Sequence, residues 1–264
     1  MDSPHDGKGW AGMPSQRWRE VADRLAGRIE SGEFPPGARM PTTVELMAEG
    51  ESKPSVERAY RDLVERGLVV RKPRVGTVVR SRARVRVPLS RYGAVLRPGG
   101  DMGPWETAAG VDVGGTVVLL AVERLAASAD IAALLGLPSG TLVVRRGRHA
   151  LIDGDVVQIQ EAFYPVDVAE GCGLDQPGKI LGGVLGAMTA GGLAPGFADE
   201  KVTARMPTTA EAAALGMGER VPVLCVERVV RGRGGRVLEA LRVVGAADRV
   251  ELHYDELPLT GGVA

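Results

Sequence analysis

The chain is poor in the residues that carry most metal and nucleophile chemistry. Its 264 residues include only two cysteines, Cys172 and Cys225, and three histidines, His5, His149 and His253. Two isolated cysteines exclude a disulfide framework and a cysteine-rich metal site, and they are typical of a reducing compartment. The histidines are too scattered for a zinc site or a catalytic partner. The sequence therefore predicts no metal and no cofactor.

Long apolar segments are also missing. The first residues, MDSPHDGKGW, contain no apolar signal core, and the longest aliphatic run, VVLLAV at 117–122, is far too short to span a bilayer. We therefore expect a cytoplasmic protein with no membrane partner. Gly, Pro and Asp are frequent at the start of the chain, which predicts a disordered tail at residues 1–15.

Net charge is absent from the whole chain but not from its parts. The chain has 33 Lys and Arg and 33 Asp and Glu. Residues 1–90 contain 17 basic and 12 acidic side chains, so 16 basic and 21 acidic ones remain in residues 91–264, and the two parts carry +5 and −5. The positive part predicts a polyanionic partner. The length is sufficient for two ordinary globular domains.

The first part has the pattern of three helices followed by a hairpin. Apolar residues at helical spacing predict a helix from Trp18. A second helix begins with a capping box of Thr42 and Glu45, and Ser52 is placed to cap a third. The segments LVVR and GTVVR then alternate around KPRV, as strands of a hairpin do. This predicts a winged helix-turn-helix domain over residues 16–80, whose third helix fits the major groove of DNA and whose basic wing reaches phosphates or the minor groove.

These residues resemble the DNA-binding domain of GntR regulators. VADRLAGRIESGEFPPGARMPTTVELMAE and SKPSVERAYRDLVERGLVVRKPRVGTVV follow that family's order of helix, Pro-Gly turn, two helices and a Gly-Thr wing over residues 17–80. The resemblance implies double-stranded operator DNA as a partner. Because one short recognition helix reads few bases, we expect a homodimer on a palindromic site. The residues expected to contact DNA are Arg39, Thr42, Ser52, Lys53, Ser55, Glu57, Arg58, Arg74, Gly76 and Thr77.

Two positions depart from the family pattern. Val44 and Glu57 stand where the family usually has arginines directed at DNA. A carboxylate is repelled by phosphate, but it accepts a hydrogen bond from cytosine N4 in the major groove. The operator sequence therefore does not carry over from the family.

Residues 81–95 are predicted to be a linker between two domains. Its first part, SRARVRVPL at 81–89, alternates arginine with other residues. Two interpretations remain open for this part, a segment that lies along DNA phosphates and an edge strand with one basic face.

The second part of the chain contains an internal repeat. VERLAASADIAALLGL at 122–137 aligns without gaps with VTARMPTTAEAAALGM at 202–217, an offset of 80 residues. Each segment is followed by a strand, a turn and a strand. Two such units would share one antiparallel sheet with helices packed against it. We therefore predict an α+β domain over residues 96–260, with a cleft at a pseudo-twofold axis.

This part resembles the UTRA ligand-sensing domain of HutC-type GntR regulators, whose fold is like that of chorismate lyase. Arg148, Asp153, Gly154 and the FYP segment at 163–165 match its motif. The resemblance implies a small-molecule effector whose class stays open. A charged side chain on the inner face of a strand must be paired or meet a ligand, and the alternative for each residue is a solvated strand face. The residues predicted to bind the effector are Arg148, Gln160, Tyr164, Arg205 and Glu239.

Two classes of function follow from these patterns. The first is a ligand-responsive transcription regulator, expected to be a repressor whose operator affinity is altered by a small metabolite. The second is an enzyme or small-molecule-binding protein of chorismate-lyase-like fold with an N-terminal interaction module. The basic wing and the gap-free family spacing favour the regulator, so we predict that the protein is not an enzyme.

Overall fold

The chain divides into two compact units, Met1–Arg82 and Ala83–Ala264. The computed structural model describes residues 17–88, 115–180 and 182–253. The tail predicted at residues 1–15 and the later part of the predicted linker lie outside the described residues. The boundary between the units falls within residues 81–95, where the sequence predicts the linker.

The first unit consists of three helices and a hairpin. Its elements are α1 (Arg17–Glu30), α2 (Thr43–Ala48), α3 (Lys53–Glu65), β1 (Val69–Lys72) and β2 (Gly76–Val79). The Thr42 side chain accepts from the Glu45 N–H and the Glu45 carboxylate accepts from the Thr42 N–H, which confirms the predicted capping box of α2. The Ser52 hydroxyl accepts from the Ser55 N–H at the start of α3.

A single apolar core holds these elements together. Val21, Leu25, Leu46, Val56 and Leu63, from all three helices, are completely buried. Each lies on the apolar stripe that helical spacing creates, so the burial of these stripes against one another supplies the main driving force for this unit.

The hairpin is tied to the segment between α1 and α2. β1 and β2 pair as antiparallel strands, with Val69 opposite Val79. The Met40 N–H donates to the Thr77 carbonyl and the Val79 N–H donates to the Ala38 carbonyl, both at 2.9 Å. The hairpin is therefore the predicted wing, and its two strands are held on the helical core by backbone hydrogen bonds.

The second unit is built on a six-stranded antiparallel sheet. Its elements are β3 (Val85–Pro88), β4 (Gly115–Ala126), α4 (Ala129–Leu135), β5 (Leu142–Ile152), β6 (Asp155–Pro165), α5 (Val166–Gly171), α6 (Gly183–Ala190), β7 (Pro195–Arg205), α7 (Thr209–Ala214), β8 (Val223–Gly232), β9 (Val237–Ala246) and β10 (Val250–His253). The strand order is β4-β5-β6-β9-β8-β7. The order is symmetric: β4, β5 and β6 run from one edge to the centre, and β7, β8 and β9 run from the other edge to the centre. The predicted repeat of strand, helix and hairpin and the predicted α+β fold are thereby confirmed.

Both faces of this sheet are covered by helices. On one face, residues such as Tyr164 and Leu241 pack with Val168 of α5 and Met188 of α6. On the opposite face, Ile131 of α4 packs on the strands, and Leu215 after α7 belongs to a smaller cluster. Successive residues of a strand point to opposite faces, so β6 contributes Tyr164 to one layer and Phe163 to the other.

Strand β3 lies in the segment for which the sequence left two interpretations. It pairs in parallel with β10, with Val87 opposite Leu252. Val85 and Val87 are buried, whereas Arg86 between them is exposed. Residues 85–88 therefore form a strand whose valines are buried and whose Arg86 lies on the exposed side, 3.5 Å from Glu251, whereas residues 81–84 are not in a strand.

Candidate functional sites

A basic hollow lies between the start of α2, helix α3 and the wing. Five of the predicted DNA contacts line it, namely Arg39, Thr42, Glu57, Gly76 and Thr77. Helix α3 and the wing approach each other here because the wing is bonded to the segment that leads into α2. The hollow thus brings together residues from three separate parts of the sequence.

The charge of the hollow is positive. Arg61 and Arg71, which the sequence did not assign as site residues, line it together with Arg39 and the carboxylate of Glu57. Glu57 also lies 3.8 Å from the Lys53 ammonium, one turn earlier on α3. A pair at this distance on an exposed face is weak, but it compensates part of the negative charge. A polyanion therefore meets an attractive surface despite Glu57.

Tyr60 fixes the angle between α3 and the start of α2. Its hydroxyl donates to the carbonyl of Pro41. Burial raises the pKa of Tyr60 to about 12, and the nearby carboxylate of Glu45 adds to this effect. The hydroxyl therefore stays protonated and remains a donor at neutral pH.

The other predicted DNA contacts have different surroundings. Ser52 donates its hydroxyl proton to Ser55 at 2.9 Å, so both hydroxyls take part in the cap of α3. The Arg58 guanidinium lies 4.5 Å from the ring centre of Trp18 on α1, a cation–π contact. Arg74 occupies the tip of the wing with φ of 62°, in the left-handed region. These residues lie on the edges of the hollow's elements and do not line it.

The second unit contains a cavity of about 310 Å³ on the sheet face covered by α6. Its volume is at the small end of the range usual for ligand pockets. Three of the predicted effector residues, Arg148, Gln160 and Glu239, line it. They come from β5, β6 and β9, so the antiparallel pairing of strands distant in sequence creates the site.

A buried ion pair forms one end of this cavity. Arg228 Nη2 donates to Glu239 Oε2 at 2.7 Å, and the Tyr164 hydroxyl donates to Glu239 Oε1 at 2.9 Å. Glu239 is 0% exposed and Arg228 is 7% exposed. Burial raises the pKa of Tyr164 well above its ordinary value, and the charge of Glu239 raises it further. Tyr164 therefore lies behind the cavity wall, where it supports Glu239.

Arg146 and Arg148 bring positive charge to the same cavity. Arg146 Nη1 donates to the carbonyls of Leu174 and Gln176 at 2.7 and 2.6 Å, and its Nη2 donates to that of Gly178 at 2.8 Å. Burial lowers the pKa of Arg146, and the like charge of Arg148 lowers it further. These hydrogen bonds from Arg146 hold the segment after α5 against the sheet.

Arg148 has no comparable partner. Within the described residues it makes no hydrogen bond or ion pair, and its Nε is a buried donor without an acceptor. Arg148 as a whole is half-buried, but a buried N–H that lacks an acceptor is costly, and an anionic ligand would remove that cost. Arg148 is thus a positively charged donor in the cavity wall with no acceptor among the described residues.

Arg205 lies apart from the other predicted effector residues. It does not line the cavity, because it is the last residue of the edge strand β7 and faces α7. Its guanidinium donates to both carboxylate oxygens of Glu211, at 2.6 and 2.7 Å. Glu211 also forms the capping box of α7 with Thr208, and the hydrogen bonds from Arg205 are the main cause that lowers the pKa of Glu211 to about 2.

Arg146 and Gln158 also line the cavity, although neither was among the predicted effector residues. Each lies two residues before a predicted site residue, Arg148 or Gln160, on the same strand. Since alternate residues of a strand share a face, this spacing was a signal that could have found both.

The part of the chain that the structure describes was searched for metal ligands and for reactive cysteines. That part contains no group of three His, Cys, Asp or Glu side chains placed to hold a metal ion. Burial raises the pKa of the free thiols of Cys172 and Cys225, which makes them poor nucleophiles. None of its helices is long and apolar enough to cross a membrane.

A winged DNA-binding unit and a unit with a ligand-sized cavity define the class of ligand-responsive transcription regulators. The family model for bacterial regulatory proteins of the gntR family matches residues 18–79, and the UTRA domain model matches residues 114–251. The chain belongs to the GntR family, in its HutC-like branch with a UTRA domain. Because the matched families and relatives are transcription regulators, the alternative of an enzyme is not retained.

Similar proteins support this assignment. An HTH-type transcriptional regulator of Streptomyces coelicolor is 32% identical over 247 residues, which cover 90% of this chain and 92% of that protein. The histidine utilization repressor of Pseudomonas aeruginosa is 37% identical over 68 residues, 25% of this chain and 27% of that protein. The crystal structure of a GntR-family transcriptional regulator matches with a TM-score of 0.58 and 30% identity, over 92% of this chain and 98% of that chain.

Proposed function

We propose that this regulator binds a palindromic operator as a homodimer and represses transcription in the cytoplasm. Its affinity for DNA changes when an anionic metabolite occupies the cavity of the second unit. The observation that carries the proposal is the unpartnered Arg148 in a cavity of ligand size. A repressing role is supported by the similarity to the histidine utilization repressor.

The basic hollow supports DNA binding by the first unit. Helix α3 has 13 residues and carries Lys53 on its exposed first turn, next to the hollow's Arg39, Arg61 and Arg71. We propose that α3 enters the major groove and that Arg74 at the wing tip contacts a phosphate. One such unit reads few base pairs, so two copies on a palindrome would supply the specificity.

The path of the chain supports coupling between ligand and DNA. Val87 of β3 and Leu252 of β10 line the cavity. Strand β3 begins at Val85, just after the boundary of the first unit at Arg82. We propose that a ligand which contacts Val87 favours one arrangement of β3, and hence of the chain that enters the DNA-binding unit. The ligand and the operator must then alter each other's affinity by the same factor.

Selection from random duplexes, followed by footprinting, tests the DNA part of the proposal. We expect two protected half-sites whose centres are about one helical turn, roughly 34 Å, or a multiple of that apart. The affinity, measured by fluorescence anisotropy, should fall steeply with salt because phosphate contacts release counterions. Protection of a single unrepeated half-site by a monomer would contradict the homodimer.

Two arginine variants test the effector part. A thermal-shift screen of organic anions identifies a ligand, and its effect on operator affinity is then measured by anisotropy. Arg148→Ala should abolish this effect while affinity for the operator without ligand stays within about twofold of the parent protein, since Arg148 lies in the second unit. Arg205→Ala, paired with Glu211 outside the cavity, is the matched control and should respond normally. A normal response of Arg148→Ala would refute the proposed site.

A further inference from the structure

The polar groups of the cavity are largely committed to one another. Both carboxylate oxygens of Glu239 accept hydrogen bonds from Tyr164 and Arg228. The Gln160 amide nitrogen donates to the Gln158 amide oxygen at 3.0 Å. Besides Arg148, the amide nitrogen of Gln158 and the amide oxygen of Gln160 remain. They are fewer than the hydroxyl groups of a sugar or another polyol, and each unmatched hydroxyl would lose hydrogen bonds to water.

The rest of the wall is hydrocarbon. Half of the twenty lining residues are Val, Leu or Ile, and they come from several strands and from α6. Examples are Val117, Leu119, Val184, Val226, Leu241 and Val243. Such a wall gains free energy only when it covers apolar ligand surface.

The charge of the lining fixes the sign of the ligand's polar end. Four cationic residues, Arg146, Arg148, Lys179 and Arg228, face two anionic ones, Glu200 and Glu239, a balance of +2. The terminal nitrogens of Arg146 are bound to backbone carbonyls, so Arg148 offers the planar fork that pairs with one carboxylate.

The volume limits the size of the ligand. A cavity of about 310 Å³ is at the small end of the range usual for ligand pockets, which favours a compact ligand.

We propose that the effector is a compact monocarboxylate with a hydrocarbon body, whose carboxylate pairs with Arg148 and whose body covers the aliphatic wall. This inference rests on the proposed effector function and adds the chemical class of the ligand. It excludes phosphorylated sugars as high-affinity ligands, since they offer hydroxyl groups where the cavity offers hydrocarbon.

Calorimetric titration of the full-length chain with straight-chain carboxylates tests the ligand class. Affinity should rise about fourfold for each added methylene from butanoate to octanoate. It should stop rising once the added methylenes extend beyond the aliphatic wall. Glucose 6-phosphate, inorganic phosphate and the neutral 1-octanol serve as comparison ligands and should bind at least tenfold more weakly than octanoate.

Variants assign the binding to named groups. Arg148→Gln should weaken octanoate by about ten- to a hundredfold, because a charge-assisted pair is lost. Leu119→Gln, on the partly exposed edge strand β4, should weaken it by about tenfold and leave the fold intact. The matched control Arg231→Gln changes an arginine that is paired with Asp199 at 3.1 Å outside the cavity, and it should bind octanoate normally.

The outcomes separate the ligand class from the proposed function. If glucose 6-phosphate binds in a way that depends on Arg148 and octanoate does not, the ligand class is wrong and the effector site stands. If no anion binds in a way that depends on Arg148, both are wrong. If octanoate binds as expected but saturating octanoate leaves operator affinity unchanged, the ligand class stands and the proposed regulation is refuted.

Discussion

Replacement of Arg228 by Met tests the buried ion pair at the end of the cavity. In the parent protein the fully buried Glu239 carboxylate is neutralised by Arg228 at 2.7 Å. The variant keeps most of the side-chain volume but leaves the carboxylate with Tyr164 as its remaining described hydrogen-bond donor. Removal of one partner of a buried pair costs about 3–5 kcal/mol, because the other charge stays desolvated. That is a large part of the roughly 5–15 kcal/mol by which a domain is stable.

Urea unfolding followed by far-UV circular dichroism at neutral pH measures this deficit. Hydrogen exchange of peptides from β6 and β9 assigns it to the second unit. The double variant Arg228→Met, Glu239→Gln removes both charges, keeps an acceptor for Tyr164, and should recover to within about 1 kcal/mol of the parent protein. A deficit below about 1 kcal/mol in the single variant, or an equal deficit in the double variant, would refute the reasoning.

Three further predictions concern exposed groups. The pKa of Glu211 is lowered to about 2 in the folded state, so its contribution to stability is present above its ordinary value of 4.5 and is lost as pH falls from there to about 2. Since Arg205 is 45% exposed, we expect Glu211→Gln to lower the free energy of unfolding by only about 1 kcal/mol at pH 7. The variant should also flatten the acid dependence of stability in urea titrations. An unchanged acid dependence would contradict the pairing. Arg74→Ala should weaken operator binding modestly and reduce the salt slope by about one phosphate contact, whereas an unchanged affinity and slope would remove the wing tip from the interface. If Glu57 accepts a hydrogen bond from cytosine N4, Glu57→Gln should relax the preference at one base pair. If Glu57 only repels phosphate, the variant should bind all sequences more tightly. Selection from random duplexes distinguishes the two.

Local patterns in the sequence were sufficient for the elements and their order. The Thr42–Glu45 capping box, the apolar stripes of α1 and α3 and the alternation of the wing all depend on residues within a few positions of each other. The repeat at an offset of 80 residues also predicted two equivalent halves of one sheet, which the order β4-β5-β6-β9-β8-β7 confirms. Helix caps and periodicity are local properties of the backbone, so they can be read without the fold.

The composition of the cavity was decided by tertiary structure. Arg148 and Arg205 both follow a strand pattern, yet Arg148 lies on a central part of β5 with no partner among the described residues, whereas Arg205 ends an edge strand beside Glu211. Arg146 proved to belong to the cavity as well, with its donors bound to the segment after α5. Strand periodicity determines which residues share a face, but strand register, sheet edges and the helices packed on each face determine which of those residues meet. These depend on contacts between segments far apart in the chain, so only the folded arrangement of the unit defines the cavity.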